Sequence, residues 1–370
     1  MASPAAKVMR AWLYSNAATG LHKNLTLSTA AAHPRQISKL AADELLIHVR
    51  ATGLNPADYK IPELPYGMSR LMVSVPASPG FDFAGTVTAL GGGVKVAAVG
   101  DSVFGRLDPT RFGSLGEYIV ARSSGCARMP QGLSFEDASA IGSAGLASYN
   151  SIAPYVPDTA STKKDGGFRV FINGGSGGTG TFGIQIAKLL GCHVTTSCSA
   201  RNLELCKALG ADEVIDYTQG NLVETLKAKG PVFSLAVDNV GLPADLYTAA
   251  DHFLLPKGTF VQVGADVSMA GNPESLQNRL LTFDLEVRLM TSRMLRPSIL
   301  GGGSRTFKFL AFANKTEDLA RIAGWIADGK MKVALDEVFD FENAPAAYEK
   351  LRQGHARGKI VVRGATQPSS

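Results

Sequence analysis

The feature that most constrains the fold is a glycine-rich stretch at residues 175–180, Gly-Ser-Gly-Gly-Thr-Gly, between a predicted strand and a predicted helix. Residues 168–173 have the apolar content of a buried strand, and residues 182–190 predict a helix that ends at Gly191. In a Gly-x-Gly-x-x-Gly turn the first glycine permits a tight turn, the second lets backbone N–H groups approach a pyrophosphate, and the third allows close helix packing. The helix N-terminus adds positive potential for the phosphates. The stretch therefore predicts a dinucleotide-binding site, the alternative being a flexible glycine-rich turn.

The alternation of strand and helix continues after this stretch. Further strands are predicted at residues 193–198, 213–217, 233–238 and 259–264, and a helix at residues 202–209. A βαβαβ series of this kind forms a parallel sheet with helices on both faces.

The two ends of the chain have a different pattern. Residues 1–134 contain short strand-like runs separated by glycine-rich turns, which predict a barrel-like β domain. Ser134, which is followed by acids, is a typical start of a helix. The C-terminal part predicts helices at residues 316–327 and 344–351 and a last strand at 359–362. A chain of 370 residues with two such patterns is expected to form two domains.

The end of the second strand of the parallel series indicates which dinucleotide binds. An NAD site has an acid about 20 residues beyond the glycine turn, where it holds the ribose 2′-OH. Here the first acid after Gly180 is Glu204, already within the next helix. Ser197 and Ser199 can instead donate hydrogen bonds, and Arg201 can pair with a phosphate. These features favour NADPH; the alternative for Arg201 is a solvated cation at the start of a helix.

Later strand ends complete the predicted cofactor-binding set. Tyr217 ends the third strand, where it is placed to flank the phosphate on the adenine ribose. The whole set comprises Gly175, Ser176, Gly177, Gly178, Thr179, Gly180, Ser197, Ser199, Arg201, Tyr217, Asn239, Val263, Gly264 and Lys359.

A second candidate group lies in the stretch Asn-Pro-Ala-Asp-Tyr-Lys at residues 55–60, which follows a predicted strand and a glycine. We expect these polar groups in a loop that faces a cleft. Asn55, Tyr59 and Lys60 are the catalytic candidates, because they can position a nicotinamide ring and a substrate. Lys60, Tyr59 or a backbone N–H can stabilise an oxyanion, and solvent or Tyr59 can deliver a proton. For Asp58 the alternative is an Asx-type turn that caps a helix.

Composition and charge exclude several classes of protein. Hydrophobic residues make up 45% and charged residues 19%, the balance of a globular chain with a sizeable core. The net charge of +5 is small and no dense Lys/Arg run occurs, which argues against a nucleic-acid partner. The four cysteines contain no C-x-x-C pair, so no metal site is expected. No membrane span and no secretory signal pattern are found, and a cytoplasmic location is expected.

The order of motifs resembles the medium-chain dehydrogenase/reductase superfamily, specifically its zinc-independent quinone oxidoreductases, the relatives of ζ-crystallin. The resemblance extends over nearly the whole chain. Its motifs are the glycine-rich stretch, Gly-Leu-Asn-Pro-Ala-Asp at 53–58, Pro-Gly-Phe-Asp-Phe-Ala-Gly at 79–85, Val-Gly-Asp-Ser-Val at 99–103 and Leu-Gly-Ala-Asp-Glu-Val-Ile-Asp-Tyr at 209–217. The ending Gly-His-Ala-Arg-Gly-Lys-Ile-Val-Val at 354–362 is similar to the chloroplast-envelope and reticulon-interacting members.

This resemblance implies an α/β protein with two domains and an active site in the cleft between them. Residues 1–134 and 313–370 would form a GroES-like β-barrel domain, and residues 135–312 a Rossmann domain with a doubly wound parallel sheet. Zinc alcohol dehydrogenases of the superfamily have a cysteine ligand near Asn55 and Gly-His-Glu near Gly80. This chain has Asn-Pro-Ala-Asp and Gly-Phe-Asp there and lacks the lobe of four zinc-binding cysteines, so a metal-free reductase is implied.

The resulting prediction is hydride transfer from NADPH to a small-molecule quinone or to the β-carbon of a conjugated enone. Fungal relatives are trans-acting enoyl reductases of polyketide synthases, and the Cys-Ser-x-x-Asn stretch at 198–202 is similar to theirs. An enoyl reductase with a carrier-protein or synthase partner is therefore one alternative. A protein that binds NADPH without turnover, as among lens crystallins, is another. The resemblance favours a homodimer through sheet edges near residues 286–290, and we expect the long segment at 267–311 to shape the substrate pocket.

Overall fold

The computed structural model describes residues 8–17, 19–34, 40–64, 68–108, 113–158, 167–241, 245–264, 304–311 and 313–365. The chain forms two compact units: unit 1 comprises Met1–Leu146 and Ala313–Ser370, and unit 2 comprises Ala147–Phe312. The sequence predicts domain boundaries after residues 134 and 312. The predicted dimer contact at 286–290, and most of the predicted pocket segment at 267–311, lie outside the described residues.

Strands and helices are numbered along the described chain. The strands are β1 (Val8–Leu13), β2 (Thr26–Ala32), β3 (Glu44–Gly53), β4 (Asp82–Leu90), β5 (Ser102–Arg106), β6 (Tyr118–Arg122), β7 (Cys126–Arg128), β8 (Arg169–Asn173), β9 (His193–Cys198), β10 (Glu213–Asp216), β11 (Phe233–Asp238), β12 (Leu254–Gln262), β13 (Thr306–Phe309), β14 (Leu335–Phe339) and β15 (Lys359–Arg363). The helices are α1 (Leu21–Asn24), α2 (Pro56–Lys60), α3 (Met68–Met72), α4 (Phe135–Ser139), α5 (Gly142–Ile152), α6 (Gly178–Leu189), α7 (Leu203–Ala208), α8 (Leu222–Lys229), α9 (Thr316–Ala327) and α10 (Ala344–Arg352). Within the described ranges, none of these helices is both long enough and apolar enough to cross a membrane.

Strand β3 is the centre of the main sheet of unit 1. It pairs antiparallel with β4 along most of its length, with β6 through residues 44–48 and with β15 through residues 51–53. The described strands run in the order β14-β15-β3-β4-β5-β7, with β6 branching from β3. Leu45, Ile47 and Val49 alternate along β3 and share one buried cluster, as the period of two requires. This branched sheet agrees with the predicted barrel-like β domain.

Helix α4 explains why unit 1 extends past residue 134. Ser134 is its N-cap, and the Ser134 hydroxyl accepts a hydrogen bond from the Asp137 N–H at 3.0 Å, as the sequence predicts. The helix buries Ala138 and Ser139 against β3, β4, β5 and β15. Its packing therefore assigns it to the β sheet of unit 1.

Unit 2 contains a parallel sheet with the strand order β10-β9-β8-β11-β12-β13 among the described residues. Val170, Phe171 and Ile172 of the central strand β8 are fully buried, as expected for a strand covered on both faces. The sequence predicts all of these strands except β13. Only Phe307 of β13 is buried, and a short edge strand with one buried residue gives little periodic signal.

Helix α6 begins at Gly178, inside the glycine-rich stretch, and not at the predicted residue 182. Glycine has a low helix propensity, which hides this first turn from a sequence pattern. Gly177 is the N-cap and has an extended backbone. The N–H groups of residues 178–180 therefore form the first helical turn, where they have no acceptor within the helix.

Candidate functional site

The glycines of the loop between β8 and α6 differ in what surrounds them. A Cβ at Gly175 would lie 2.0 Å from the Thr196 hydroxyl, and one at Gly180 would lie 2.1 Å from the Gly174 carbonyl oxygen. A Cβ at Gly177 would meet nothing closer than 3.6 Å, so open space lies over this part of the backbone, as the approach of a phosphate requires. The positive φ of the turn, 78°, belongs to Gly174. Gly175 is thus needed for close packing, which corrects the turn-forming role predicted for it.

A hydrogen-bonded network beneath the loop fixes its shape. Ser197 Oγ donates to Asn173 Oδ1 at 2.6 Å and accepts from the Gly174 N–H at 3.0 Å. The Ser197 carbonyl accepts from the Gly175 N–H at 2.9 Å. Ser197 is fully buried, and its only hydroxyl hydrogen is used within the protein. It therefore supports the loop from beneath, in contrast to the phosphate-binding role that the sequence predicts.

The network continues through two side chains that the sequence analysis missed, Asn173 and Asp238. Asn173 Nδ2 donates to Asp238 Oδ1 at 2.8 Å, and this oxygen also accepts from the N–H groups of Val240 and Gly241, each at 3.0 Å. Both side chains are buried, and each is the last residue of its strand, β8 or β11. A polar residue directly after a run of three apolar residues, at the end of each strand, is the signal that could have identified them.

Three predicted residues lie beside this network, at the ends of β11 and β12. The Asn239 N–H donates to the Asn173 carbonyl at 3.3 Å, and the Val263 and Gly264 N–H groups donate to the Asp238 carbonyl at 2.8 and 3.1 Å. A Cβ at Gly264 would lie 2.1 Å from the Asn239 carbonyl oxygen, so this packing requires glycine. The structure thus brings these residues to the sheet edge where ligands bind in doubly wound folds.

The carboxyl end of β9 presents uncharged and basic groups. Ser199 directly follows the strand and is half-buried, Arg201 is exposed in a short 3₁₀ turn, and Tyr217 is 50% exposed. The Tyr217 N–H donates to the last carbonyl of β9 at 3.1 Å, which places this residue beside Ser199. These three predicted residues therefore lie on neighbouring strand ends.

Asn202 joins this strand end to the glycine-rich loop. Its Nδ2 donates to Ser176 Oγ at 3.0 Å and to Ser199 Oγ at 3.3 Å, and its side chain is buried. Asn202 belongs to the Cys-Ser-x-x-Asn stretch of the family resemblance, and no role at the site is predicted for it from the sequence.

In unit 1, the catalytic candidate Asn55 belongs to a buried cluster with Asp82 and Lys359. Lys359 Nζ donates to Asn55 Oδ1 at 2.5 Å and to the Leu54 carbonyl at 2.7 Å, and lies 3.6 Å from Asp82 Oδ2. Asn55 Nδ2 donates to Asp82 Oδ2 at 2.9 Å and to the Gly53 carbonyl at 3.2 Å. The Asn55 amide is therefore fully engaged. Lys359, only 3% exposed, directs its ammonium group into this cluster.

Asp82 also anchors the first turn of α5. Its Oδ1 accepts from Ser143 Oγ at 2.6 Å, and both carboxylate oxygens lie 2.8 Å from the Ser143 N. A Cβ at Gly142 would lie 2.6 Å from Asp82 Oδ1, so only a glycine at this position leaves room for the carboxylate at the start of the helix. A negative charge is favourable at this end of a helix. The cluster is therefore a structural junction of β3, β4, β15 and α5.

Asp58 has the capping role that the sequence analysis gave as its alternative. It is the third residue of α2, and its Oδ2 accepts from the Asn55 N–H at 2.7 Å. Complete burial raises the pKa of the Asp58 carboxyl from 3.8 to about 8, against the opposing effect of the Asn55 N–H. Burial likewise lowers the pKa of Lys359. Asp58 is thus mainly protonated at pH 7.

The two remaining catalytic candidates, Tyr59 and Lys60, lie at the end of α2 and are half-buried. The Arg352 guanidinium lies over the Tyr59 ring, 5.2 Å from its centre, and also pairs with Glu63. Tyr59 packs against a buried cluster that includes Tyr348. These contacts give the Tyr59 ring a defined position.

Comparisons with known proteins place both units in one family. The family model described as "Alcohol dehydrogenase GroES-like domain" matches residues 41–131, and the one described as "Zinc-binding dehydrogenase" matches residues 209–362. The chain is 42% identical over 371 residues to the trans-enoyl reductase pgmF of Aspergillus terreus, with 98% of each protein covered. This chain belongs to the medium-chain dehydrogenase/reductase superfamily.

Two further comparisons indicate the branch of the superfamily. The mitochondrial NAD(P)H oxidoreductase RTN4IP1 of Homo sapiens is 30% identical over 333 residues, which are 86% of this chain and 81% of that protein. The solved quinone oxidoreductase from Coxiella burnetii has a TM-score of 0.76 and 26% identity, covering 96% of this chain and 99% of the other. The chain is an oxidoreductase of the zinc-independent quinone oxidoreductase and enoyl reductase branch. The predicted combination of a GroES-like domain and a Rossmann domain is confirmed.

The residues of this superfamily member do not fit a zinc ion, despite the description of one matching model. Near the positions of the zinc ligands of related dehydrogenases it has Asn55 and Phe81, and phenylalanine offers no ligand atom. The oxygens of Asn55 and Asp82 already surround the Lys359 ammonium. In the part of the chain that the structure describes, no three His, Cys, Asp or Glu side chains are grouped to hold a metal.

Proposed function

We propose that this oxidoreductase uses NADPH to reduce a carbon–carbon double bond conjugated to a carbonyl group, as in an enone or an enoyl thioester. The observation that most directly supports NADPH is the end of β9, where Ser199 replaces the acid of an NAD site and the exposed Arg201 follows. A hydroxyl and a guanidinium suit a phosphate dianion, which a carboxylate would repel. Full-length similarity to a trans-enoyl reductase supports the substrate class.

The residues that would hold NADPH lie along one sheet edge of unit 2. The N–H groups of residues 178–180 and the open space over Gly177 suit the pyrophosphate. Ser199, Arg201 and Tyr217 would surround the 2′-phosphate. The ends of β11 and β12 would line the rest of the dinucleotide.

Bound NADPH supplies the hydride, from C4 of its nicotinamide ring. The chain must then stabilise the negative charge that develops on the substrate carbonyl oxygen and deliver a proton to the adjacent carbon. Lys60 and Tyr59 are the proposed donors to that oxygen, and the Tyr59 hydroxyl or solvent is the proposed source of the proton. Asn55 would act only by holding the start of α2, because its side-chain amide is fully engaged.

A quinone is the second candidate acceptor, supported by the full-length similarity to a quinone oxidoreductase. Quinones and enones both present an electron-poor carbon conjugated to a carbonyl group, so the same hydride donor and oxyanion donors serve either. A third possibility is an NADPH-binding protein without turnover, which would bind the cofactor but leave it unoxidised with every acceptor.

The proposal is tested by following NADPH oxidation with a pantetheine enoyl thioester, a 2-alkenal and a quinone at equal concentrations. The enoyl thioester is expected to give the highest kcat/KM. A higher kcat/KM for the quinone would indicate that the protein is a quinone reductase. Tight NADPH binding without oxidation would support the non-catalytic alternative. Repeating the assay with the enoyl group on a carrier protein measures how much a partner contributes.

The catalytic roles are tested separately with Tyr59→Phe and Lys60→Ala. Loss of a general acid or of an oxyanion donor is expected to lower kcat/KM by about 10²-fold or more. NADPH affinity should be retained, because neither side chain belongs to the proposed cofactor site. If both variants kept the wild-type kcat/KM for every accepted substrate, these roles would be abandoned.

A further inference from the structure

We infer that Asn202 is a positioning residue for NADPH: its amide donates to Ser176 and Ser199 and so directs the hydroxyl hydrogens of both serines toward the cofactor phosphates. The inference rests on the proposed use of NADPH. It adds a specificity-determining residue that makes the glycine-rich loop and the end of β9 a single anion-binding surface.

The position of Asn202 is fixed by its backbone and by burial. Its N–H donates to the Ser199 carbonyl at 2.9 Å, and the residue is the N-cap of α7. The side chain is 4% exposed. Its Nδ2 lies 3.0 Å from Ser176 Oγ and 3.3 Å from Ser199 Oγ. An amide nitrogen has two hydrogens, and here each has one serine acceptor.

These contacts determine what the serines can offer to a ligand. A serine hydroxyl has one hydrogen and two lone pairs. In both serines a lone pair is occupied by Asn202, and among the described residues no acceptor for either hydroxyl hydrogen is found. Ser176 lies within the glycine turn and Ser199 lies where an NAD site has its acid, and both are half-buried. Both hydrogens are therefore available to phosphate oxygens.

The unused oxygen of Asn202 supports a positioning role. Asn202 Oδ1 is buried and has no hydrogen-bond partner among the residues that the structure describes. An unsatisfied buried acceptor destabilises the folded state, so this side chain is not arranged for its own stability. Turned the other way, the oxygen would accept from both serines, and their hydrogens would point away from the cofactor. In the observed arrangement Asn202 Oδ1 has no partner among the described residues, and the hydroxyl groups of Ser176 and Ser199 can both donate to an anion.

The test uses Asn202→Asp, which has the same shape but only acceptor oxygens. Both serine hydroxyls would then donate to the carboxylate. Titration with NADPH and NADH is expected to show that the ratio of their affinities falls by about tenfold or more, because the 2′-phosphate, which only NADPH carries, loses the charge-assisted hydrogen bond from Ser199. Asn221→Asp is the matched control, because Asn221 caps α8, where aspartate caps equally well, and the ratio should not change.

A double-mutant cycle separates this effect from simple charge repulsion. Ser199→Ala in the wild-type background is expected to weaken NADPH about tenfold. In the Asn202→Asp background it should have no effect, because that hydroxyl is already turned inward. Equal losses in both backgrounds would overturn the inference. Asn202→Ser, which keeps a good N-cap residue, is the second variant, and in that background the effect of Ser199→Ala should also shrink.

The outcomes distinguish this inference from the proposed function. Equal wild-type affinities for NADPH and NADH would refute the proposed cofactor preference and the inference with it. A wild-type preference for NADPH that survives in Asn202→Asp and Asn202→Ser would refute the inference alone. A cooperative thermal unfolding transition at a temperature close to that of the wild type verifies that each variant is folded.

Discussion

The polar clusters of the two units use hydrogen bonds in opposite ways. At the sheet edge of unit 2, Ser176, Ser199 and the first turn of α6 keep donors that no described protein group accepts. In unit 1, the side chains of Asn55 and Lys359 find their partners within the protein. This difference indicates that a polar motif forms a ligand site where some of its hydrogen-bond donors or acceptors have no partner in the protein. Where its donors and acceptors are paired within the protein, the motif stabilises the fold.

The largest effect expected from a substitution at a fixed pH is on stability, from Lys359→Met, and it tests this contrast. Removing the ammonium leaves the fully buried Asp82 without its cation, which is expected to cost about 3–5 kcal/mol in the free energy of unfolding. Lys207→Met is the control, because Lys207 is 59% exposed and its pair with Glu204 should contribute less than about 1 kcal/mol. Urea unfolding measures both. If folded Lys359→Met protein bound NADPH more weakly than wild type, the cluster around Lys359 would also contribute to cofactor binding, which would contradict the contrast between the two clusters.

The next largest effect is expected at the glycine-rich loop. It is measured by replacing two glycines of α6 and comparing the stability and the NADPH binding of the two variants. A Cβ at Gly180 would lie 2.1 Å from the Gly174 carbonyl oxygen, whereas one at Gly183 would make ordinary contacts at 3.5 Å. Gly180→Ala is expected to destabilise the protein by about 1–3 kcal/mol and to weaken NADPH binding. Gly183→Ala should leave binding intact and raise stability by up to about 1 kcal/mol. Thermal unfolding with and without NADPH measures both, and equal behaviour of the two variants would contradict the geometry.

The third effect is the pH dependence of stability that Asp58 produces. Because the folded-state pKa of Asp58 is raised from 3.8 to about 8, the folded state binds a proton that the unfolded state releases within this window. Stability should therefore fall as pH rises from about 4 to about 8, by at most about 1.4 kcal/mol per pH unit. Asp58→Asn keeps an oxygen for the Asn55 N–H and should remove this slope. Urea unfolding of both proteins across the window measures the difference, and parallel profiles would refute a protonated Asp58.

Much of the fold could be predicted from local patterns. The periodic apolar runs identified the central strands of unit 2, and Ser134 with its following acids identified the start of α4. The strand β13 was missed because only one of its residues is buried, which leaves little alternation. The start of α6 was missed because glycines with low helix propensity form its first turn.

The candidate site was predicted less completely, for a different physical reason. The glycine motif is contiguous in sequence, so its role could be derived from spacing alone. Whether a polar side chain is free depends on partners far along the chain: Lys359 and Asn55 are 304 residues apart, and Asn173 and Asp238 are 65 apart. No local pattern contains that information. This is why the contact of Lys359 with Asn55 could not be predicted and why Asn173 was overlooked.

The central claim, an NADPH site at the end of β9, is tested most directly by calorimetric titration of the wild-type protein and Arg201→Ala with NADPH and NADH. We predict that wild type binds NADPH at least about tenfold more tightly than NADH, equivalent to about 1.4 kcal/mol. Arg201→Ala should lose most of that difference by weakening NADPH alone, since it removes a charge-assisted contact to the phosphate. Equal wild-type affinities, or an unchanged NADPH preference in Arg201→Ala, would contradict it.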